Sequence, residues 1–133
     1  MSGSDLARLE FAGFTRRVWT RIEDVPTAPG VYAFVVRREV MYIGSAQGSK
    51  GSMRGRIRNY QRHQREDSET KRRRPVHREI TRVHKNKGKI DVYTLRLRQS
   101  QQIKWKGLPV DLASGLEAGL IRELHPKWNH RGR

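Results

Sequence analysis

The sequence predicts a single small α/β (α+β) domain in which a sheet of about three strands is flanked by helices. Two neighbouring apolar runs separated by a short charged turn predict two strands, and an alternating segment later in the chain predicts a third. Elsewhere, apolar residues recur at helical spacing. The chain has 133 residues, of which 35% are hydrophobic. One modest core is therefore expected.

Positive charge is the most prominent feature of the composition. Twenty-nine Lys and Arg residues oppose 13 Asp and Glu residues, which gives a net charge of +16. Fourteen of the basic residues lie between Arg54 and Lys89, with four acidic residues among them. A surface of this kind attracts polyanions through counterion release. The clustering favours a nucleic-acid face over a merely cationic surface, but charge alone separates neither DNA from RNA nor binding from cleavage.

Several other classes of protein do not fit the sequence. No run of eighteen apolar residues is present, so no membrane-spanning helix is expected. Residues 1–10 lack an apolar h-region and are not expected to act as a secretory signal. Cysteine is absent, which excludes disulfides and thiolate metal sites and fits a cytoplasmic location.

Residues 1–28 are predicted to form an approach segment, and residues 29–133 the domain proper. Prolines 26 and 29 end any helix before the first strand, and the pattern allows a helix over Leu6–Gly13. Four apolar side chains could cover one side of the core: Phe11, Phe14, Val18 and Trp19.

The first two predicted strands carry the tyrosines of Gly30-Val31-Tyr32 and Tyr42-Ile43-Gly44. The strands are Val31–Val36 and Val40–Ile43. Opposed residues share a face, so the two tyrosines lie together only if the loop has an odd number of residues or a bulge corrects the register. The turn Arg37-Arg38-Glu39 has no Asn-Gly or Gly-X pair, so a tight two-residue turn is not expected.

A Gly/Ser-rich connection, residues 45–52, precedes a predicted helix. It lacks the G-x-x-x-x-G-K-[ST] pattern of a nucleotide-binding loop. Ser52 is the expected N-cap. The inward stripe of this helix comprises Met53, Ile57 and Tyr60, and Arg56, Tyr60 and His63 share one flank.

The rest of the chain predicts two more helices and one more strand. Pro75 opens a helix with an apolar stripe of Val76, Ile80 and Val83, which ends near Lys87-Gly88. The alternating segment Lys89–Arg98 predicts the third strand. Lys104–Pro109 is expected to be a loop carrying Trp105. The last helix runs from Ala113 or Gly115 to Leu124, and Pro126 stops it.

These motifs together resemble the GIY-YIG nuclease family. The pattern comprises Gly30-Val31-Tyr32, Tyr42-Ile43-Gly44, residues 53–60, Leu116-Glu117-Ala118 and Pro126-Lys127-Trp128-Asn129, and spans roughly residues 28–130. Among its branches, the chain is most similar to the small phage endonuclease II and restriction-type members. The resemblance implies a single GIY-YIG-type domain with a mainly antiparallel sheet. It also implies metal-dependent hydrolysis of phosphodiester bonds in DNA.

The resemblance implies catalytic roles for Tyr32, Tyr42, Arg56, Tyr60, Glu117 and Asn129. Glu117 matches the helix carboxylate that holds one divalent metal. A hard oxygen ligand suits Mg²⁺ or Mn²⁺, at one ion per active site. An alternative interpretation is that Ser114-x-x-Glu117 is only a capping box, which also leaves Glu117 near the start of a helix.

The roles of the arginine and the tyrosines each have an alternative. Arg56 matches the family's helix arginine, which presents a fixed fork to a phosphate oxygen. Arg54 competes with it, because two residues only shift the position around the helix, but the helical spacing to Tyr60 favours Arg56. Tyr32 is the candidate general base with Tyr42 beside it, and the two could exchange roles. A phenol with a pKa of about 10 acts at neutral pH only if a cation or water stabilises the phenolate.

The remaining roles concern phosphate contacts. Tyr60 matches a position that contacts the scissile phosphate or the base. Asn129 places a phosphate or a tyrosine through its amide, or is only a turn residue after Trp128. The residues predicted to contact DNA, mainly through backbone phosphates, are Ser45, Lys50, Arg54, Arg58, Arg62, Lys71, Arg72, Arg73, Arg74, His77 and Arg78.

Two other functions stay open from the sequence. One is a non-catalytic nucleic-acid-binding module on the same fold, and the other is a structure-specific DNA repair nuclease. A double-strand cut by a chain with one active site would require a homo-oligomer.

Overall fold

The computed structural model describes residues 2–46, 52–63, 75–97 and 103–129. The helices are α1 (Ser2–Phe11), α2 (Met53–His63), α3 (Pro75–Lys85) and α4 (Leu112–Leu124). The strands are β1 (Thr15–Val18), β2 (Gly30–Val36), β3 (Glu39–Ala46), β4 (Asp91–Arg96), β5 (Ile103–Trp105) and β6 (Leu108–Val110). Short 3₁₀ turns cover Ile22–Asp24 and Lys127–Asn129.

The main sheet is antiparallel and has four strands in the order β1-β4-β2-β3. The sheet has one strand more than the sequence predicts, because β1 was not predicted. Its sequence, Thr-Arg-Arg-Val, is short and mostly exposed, so it lacks the apolar alternation that marks a half-buried strand. Much of the expected approach segment, residues 1–28, therefore forms α1 and β1, which pack with the rest of the domain.

The hairpin between β2 and β3 brings the two tyrosines to one face. Its turn has only two residues, Arg37 and Arg38, both with positive φ (52° and 67°), so the expectation against a two-residue turn was wrong. Turns of this hand match the twist of the strands even without glycine. The register then shifts at Phe34, which lies opposite Tyr42. This bulge puts Tyr42 and Tyr32 on the same face, and confirms the predicted correction of register.

One face of the sheet packs against α2 and α3. The predicted stripes are confirmed, because Met53 and Ile57 of α2 and Val76 and Ile80 of α3 are all buried. Ser52 caps α2 as predicted, since its Oγ accepts a hydrogen bond from the Gly55 amide at 2.9 Å.

The other face of the sheet packs against α1 and α4. Val31, Ala33 and Ile43 are fully buried there, together with Leu9 of α1 and Ala113 of α4. The helix allowed at Leu6–Gly13 is therefore real, and begins earlier, at Ser2.

The segment predicted as a loop around Trp105 is a second sheet, formed by β5 and β6. Its turn, Lys106-Gly107, has φ values of 50° and 87°. Within the described ranges, no helix is both long and apolar enough to cross a membrane.

Candidate active site

Three tyrosines from three elements form a cluster on the α2 side of the sheet. Their ring centroids lie 6.5 Å apart for Tyr32 and Tyr42, 6.4 Å for Tyr32 and Tyr60, and 5.9 Å for Tyr42 and Tyr60. The Tyr60 hydroxyl donates a hydrogen bond to the Tyr42 hydroxyl at 3.1 Å. His77 of α3 packs against Tyr60, with ring centroids 5.0 Å apart. The prediction that the two motif tyrosines share one face is thus confirmed, and Tyr60 joins them.

Gly44 makes room for the Tyr32 ring. Tyr32 and Gly44 lie opposite each other on β2 and β3. A Cβ atom at residue 44 would lie only 2.6 Å from both Cζ and Oη of Tyr32. The ring of Tyr32, in the first motif, therefore requires a glycine at position 44, in the second motif. The spacing of the two motifs in the sequence does not indicate this contact.

Tyr32 is the most deeply buried of the three phenols. Its side chain is 1% exposed. Burial is the main cause that raises the pKa of Tyr32 well above 10, and the neighbouring phenols Tyr60 and Tyr42 raise it further, while the Arg56 guanidinium lowers it. In this environment, the Tyr32 phenol stays protonated at neutral pH.

The two candidate arginines of α2 have different surroundings. Arg56 is exposed and near enough to Tyr32 to lower the pKa of its phenol. Arg54 is half-buried, and its guanidinium donates to backbone carbonyls, from Nε to Val25 at 2.8 Å and from Nη2 to Glu23 at 2.7 Å. Arg54 therefore holds the loop before β2, and the DNA contact predicted for it stays a prediction.

Glu117 lies in the second turn of α4 and contacts β3. The helix begins earlier than the capping-box interpretation requires, because Asp111 is the N-cap and accepts from the Ser114 amide at 3.3 Å. The capping-box alternative is therefore wrong. Glu117 Oε1 instead accepts a hydrogen bond from Ser45 Oγ at 2.6 Å. Ser45 is 7% exposed, and the contact with DNA predicted for it stays a prediction.

Asn129 binds the outer edge of β3. Its Oδ1 accepts from the Ile43 amide at 2.8 Å, and its Nδ2 donates to the Ile43 carbonyl at 3.0 Å. Trp128, next to it, is 4% exposed and belongs to the core. The side-chain amide of Asn129 thus binds the backbone of the residue between Tyr42 and Gly44. This contact is more specific than that of a turn residue.

The candidate site surrounds residues 42–45 of the edge strand β3. The three phenols and Arg56 lie on the α2 side of the sheet, Asn129 binds the strand from its edge, and Glu117 reaches it from the α4 side, at Ser45. Residues that lie far apart in the sequence therefore meet along four residues of one strand.

The carboxylate of Glu117 fits a hard divalent cation. Among the described residues, no three or more His, Cys, Asp and Glu side chains come together as a potential metal site. A cage built from protein ligands is therefore not formed by these residues. One carboxylate held by a hydroxyl fits a cation that keeps most of its ligands as water, which is how Mg²⁺ is usually bound.

Apart from Ser45 and Arg54, the residues predicted to contact DNA fall into three groups. Arg58, Arg62 and Arg78 are exposed on α2 and α3, the helices that carry Tyr60 and His77. His77 is half-buried against Tyr60. The others, Lys50 and Lys71, Arg72, Arg73 and Arg74, lie outside the described residues.

Solved structures similar to this one include endonuclease domains. The N-terminal GIY-YIG endonuclease domain of UvrC from Thermotoga maritima, as a tyrosine-to-phenylalanine mutant bound to the catalytic divalent cation, has a TM-score of 0.52 at 23% identity over 84% of this chain and 93% of that chain. The same domain bound to magnesium has a TM-score of 0.51 at 24% identity over 83% and 92% of the two chains.

A glutamate-to-alanine mutant of bacteriophage T4 EndoII has a TM-score of 0.55 at 20% identity, over 78% of this chain and 75% of that chain. No protein-family model and no curated protein sequence matches this chain. At these identities the similarity establishes the fold. The chain therefore has the fold of the GIY-YIG endonuclease domains, as its motifs predict.

Proposed function

We propose that this chain is a metal-dependent DNA endonuclease that hydrolyses phosphodiester bonds. The observation that carries this proposal is the convergence of Tyr42, Tyr60, Arg56 and Glu117 around the edge strand β3. The fold supports it, because it is shared with endonuclease domains that were solved with a catalytic divalent cation. A binding module would have no use for phenols, a guanidinium and a carboxylate gathered in this way.

Glu117 would hold one Mg²⁺ or Mn²⁺ ion. Such an ion, when bound, supplies positive charge at the phosphate and lowers the pKa of water. The hydrogen bond from Ser45 fixes the Glu117 carboxylate against β3. This contact limits the rotamers of a side chain that would otherwise turn freely on the surface of α4.

Tyr42 is the better candidate for the proton acceptor. A general base must reach the water that it deprotonates, and Tyr32 is 1% exposed, with a pKa raised by burial. Tyr42 is half-buried, and its oxygen accepts a hydrogen bond from Tyr60. Tyr32 then supports the cluster from within the core.

Arg56 is proposed to bind the scissile phosphate. Its guanidinium is exposed beside the phenols, and its planar fork matches two phosphate oxygens. Arg58, Arg62 and Arg78, also exposed, would hold neighbouring phosphates. Contacts of this kind position a duplex and carry little base specificity.

Conversion of supercoiled plasmid to nicked and linear forms in Mg²⁺ tests the proposal. Glu117→Gln keeps the size of the side chain and removes its charge. It should slow cutting roughly a thousandfold or more, because a catalytic metal supplies several kcal/mol of charge stabilisation. Binding to duplex DNA at low salt in EDTA should stay within about twofold of wild type, since it depends on basic residues.

Glu123→Gln is the matched control, because Glu123 is an exposed carboxylate on the same helix and pairs with Arg8. It should cut like the wild type. Tyr42→Phe should slow cutting by about 10²- to 10⁴-fold, as expected for loss of a general base, and by more than Tyr32→Phe. A wild-type chain that binds DNA and cuts no form of it would refute the proposal in favour of the binding module.

The same reaction tests the remaining alternatives. Linear product that forms without a nicked intermediate would indicate two active sites acting together, and thus a homo-oligomer, which sedimentation at the assay concentration would measure. Preference for branched over linear duplex would support a structure-specific nuclease.

A further inference from the structure

The β5–β6 hairpin exposes an apolar surface outside both cores. Its four large apolar side chains are all well exposed, with Ile103 at 47%, Trp105 at 66%, Leu108 at 65% and Val110 at 40%. None of them belongs to either of the two hydrophobic clusters that cover the main sheet. Among the three tryptophans of the chain, Trp105 alone is exposed, since Trp19 and Trp128 are buried.

The register of the hairpin gathers these side chains on one face. Ile103 lies opposite Val110, and Trp105 lies opposite Leu108. Opposed residues share a face, as do residues two apart on a strand, so all four project to the same side. Lys104 projects to the other side. Four exposed apolar side chains on one face of a hairpin are unusual on a chain with a mean hydropathy of −0.87.

This face is not expected to remain uncovered. A two-stranded hairpin is marginally stable in water by itself, and an exposed apolar patch commonly marks a binding surface. The charge of the hairpin indicates the partner. Residues 103–110 contain two lysines and no acidic residue, and Lys106 Nζ lies 5.6 Å from the centroid of the Trp105 ring.

Charge complementarity favours DNA over a second copy of the chain. A second copy would bring another net charge of +16 to a surface that is itself basic, whereas a duplex brings the opposite charge. The position of the hairpin also favours DNA, because β6 runs directly into α4, which carries Glu117. The chain from Gly107 to Glu117 spans at most roughly 25 Å, counted as four extended and six helical residues. The hairpin therefore lies within one helical turn of DNA, ~34 Å, of Glu117, which is close enough for one duplex to contact both.

We infer that the apolar face of the hairpin contacts the base stack of duplex DNA. Trp105 and Leu108, which flank the turn, enter a base step as an apolar wedge, and Lys104 and Lys106 contact the adjacent phosphates. Architectural proteins that bend DNA use wedges of this kind and accept the cost of unstacking a step. The inference rests on the proposed function, because it takes duplex DNA as the substrate. It implies that the enzyme binds preferentially where the duplex is easily deformed.

Binding of a 30-base-pair duplex in EDTA at several salt concentrations tests the inference without any cleavage. Trp105→Ala should weaken binding by about tenfold or more, as for loss of an aromatic contact with a base, with the salt dependence unchanged. Lys104→Ala and Lys106→Ala should instead reduce the slope of log K against log salt by about 1 each. Phe11→Ala is the matched control, because Phe11 is 96% exposed on α1 and lies off the hairpin. It should bind like the wild type.

Acrylamide quenching of tryptophan fluorescence gives an independent readout. Because Trp19 and Trp128 are buried, the accessible fluorescence comes mainly from Trp105, and added duplex should protect it. A 2-aminopurine placed in the duplex should brighten as its step unstacks, and should not do so with Trp105→Ala.

Two results would overturn the inference. One is that Trp105→Ala and Leu108→Ala bind duplex as tightly as Phe11→Ala. The other is that Trp105 becomes protected as protein concentration rises without DNA, which would make a second copy the occupant. Plasmid cutting in Mg²⁺ separates this failure from failure of the proposed function. If the wild type cuts DNA but the hairpin variants bind it normally, only the hairpin contact is refuted. If the hairpin variants bind DNA weakly but the wild type cuts none, only the nuclease activity is refuted.

Discussion

Asn129 pairs with Ile43 as another strand would, since its side-chain amide both accepts from the backbone amide of Ile43 and donates to its carbonyl. The 3₁₀ turn that follows α4 thereby satisfies two backbone groups on the outer side of β3, where no strand of the described residues pairs with it. Ile43 lies between Tyr42 and Gly44, so this pairing fixes the strand where the phenol cluster and the Tyr32 ring depend on it.

Replacing this amide should destabilise the protein. Asn129→Ala leaves two backbone groups of the buried Ile43 without these partners, so the free energy of unfolding should fall by about 1–3 kcal/mol. Asn129→Asp keeps an acceptor and loses the donor, and should fall between Asn129→Ala and the wild type. Urea denaturation monitored by circular dichroism measures both. Unchanged unfolding of Asn129→Ala would show that water replaces the amide at no cost.

The hydroxyl of Ser45 should control the affinity for metal. Ser45→Ala removes the hydrogen bond to Glu117 Oε1, and partners of a metal ligand typically affect affinity by about 10- to 100-fold. The Mg²⁺ concentration for half-maximal plasmid cutting should rise by that factor, with the maximal rate reduced less. Ser45→Thr retains the hydroxyl and is the control. Equal Mg²⁺ dependence of Ser45→Ala and wild type would show that Ser45 plays no part in metal binding.

Adding a methyl group to Gly44 should disrupt the site. A Cβ atom there would lie 2.6 Å from Cζ and Oη of the fully buried Tyr32 ring, so Gly44→Ala should lower the free energy of unfolding by about 1–3 kcal/mol or more. Gly119→Ala on α4 is the opposite case, because its Cβ would meet nothing within 4 Å. It should raise stability by about 0.5–1 kcal/mol. Thermal unfolding of the two variants compares them directly, and similar effects at both glycines would contradict the close packing at Tyr32.

The two arginines of α2 should have separable effects. Arg54→Ala removes donors to the carbonyls of Val25 and Glu23, so it should lower the free energy of unfolding by about 1–3 kcal/mol, as expected for hydrogen bonds from a charged group. Arg56→Ala removes an exposed side chain and should leave stability within about 0.5 kcal/mol of wild type, while slowing plasmid cutting. The reverse pattern, a stable Arg54→Ala that fails to cut, would transfer the phosphate role to Arg54.

The sequence predicts the elements of this fold better than it predicts the surroundings of the site. The stripes Met53–Ile57 and Val76–Ile80 follow from helical spacing, and they are buried as expected. The strand β1 could not be predicted, because its residues are mostly exposed and basic, and only pairing with β4 makes it a strand.

In the candidate site, too, the sequence predicts the residues better than it predicts their contacts. Motif order identifies Tyr32, Tyr42 and Glu117, because these residue types and their order are visible in the chain. The contacts that set their properties are not visible there. Residues 72 positions apart in the sequence form the Ser45–Glu117 hydrogen bond, and the burial that raises the pKa of Tyr32 comes from α2 and the sheet together. Pairings of that kind are products of tertiary packing, which local patterns do not encode.

His84 should make stability depend on pH on the acid side of neutrality. Its ring packs against Trp19 with centroids 5.6 Å apart, and within the described part of the chain its buried Nε2 has no hydrogen-bond partner. Burial lowers the pKa of His84 below its ordinary value of 6.5. The unfolded chain therefore binds this proton more tightly than the folded one.

It follows that the contribution of neutral His84 is complete above pH 6.5, declines as the pH falls below that value, and is lost once the pH passes the lowered pKa of the folded state. The free energy of unfolding should thus decrease between pH 7.5 and pH 5 in the wild type. His84→Phe should flatten this dependence, because an apolar ring at this position has no proton to gain. His125→Asn, at the exposed C-cap of α4 with a φ of 48°, controls for the loss of a histidine elsewhere. Urea denaturation at each pH measures the three proteins, and an undiminished acid-side slope in His84→Phe would assign that slope to other groups.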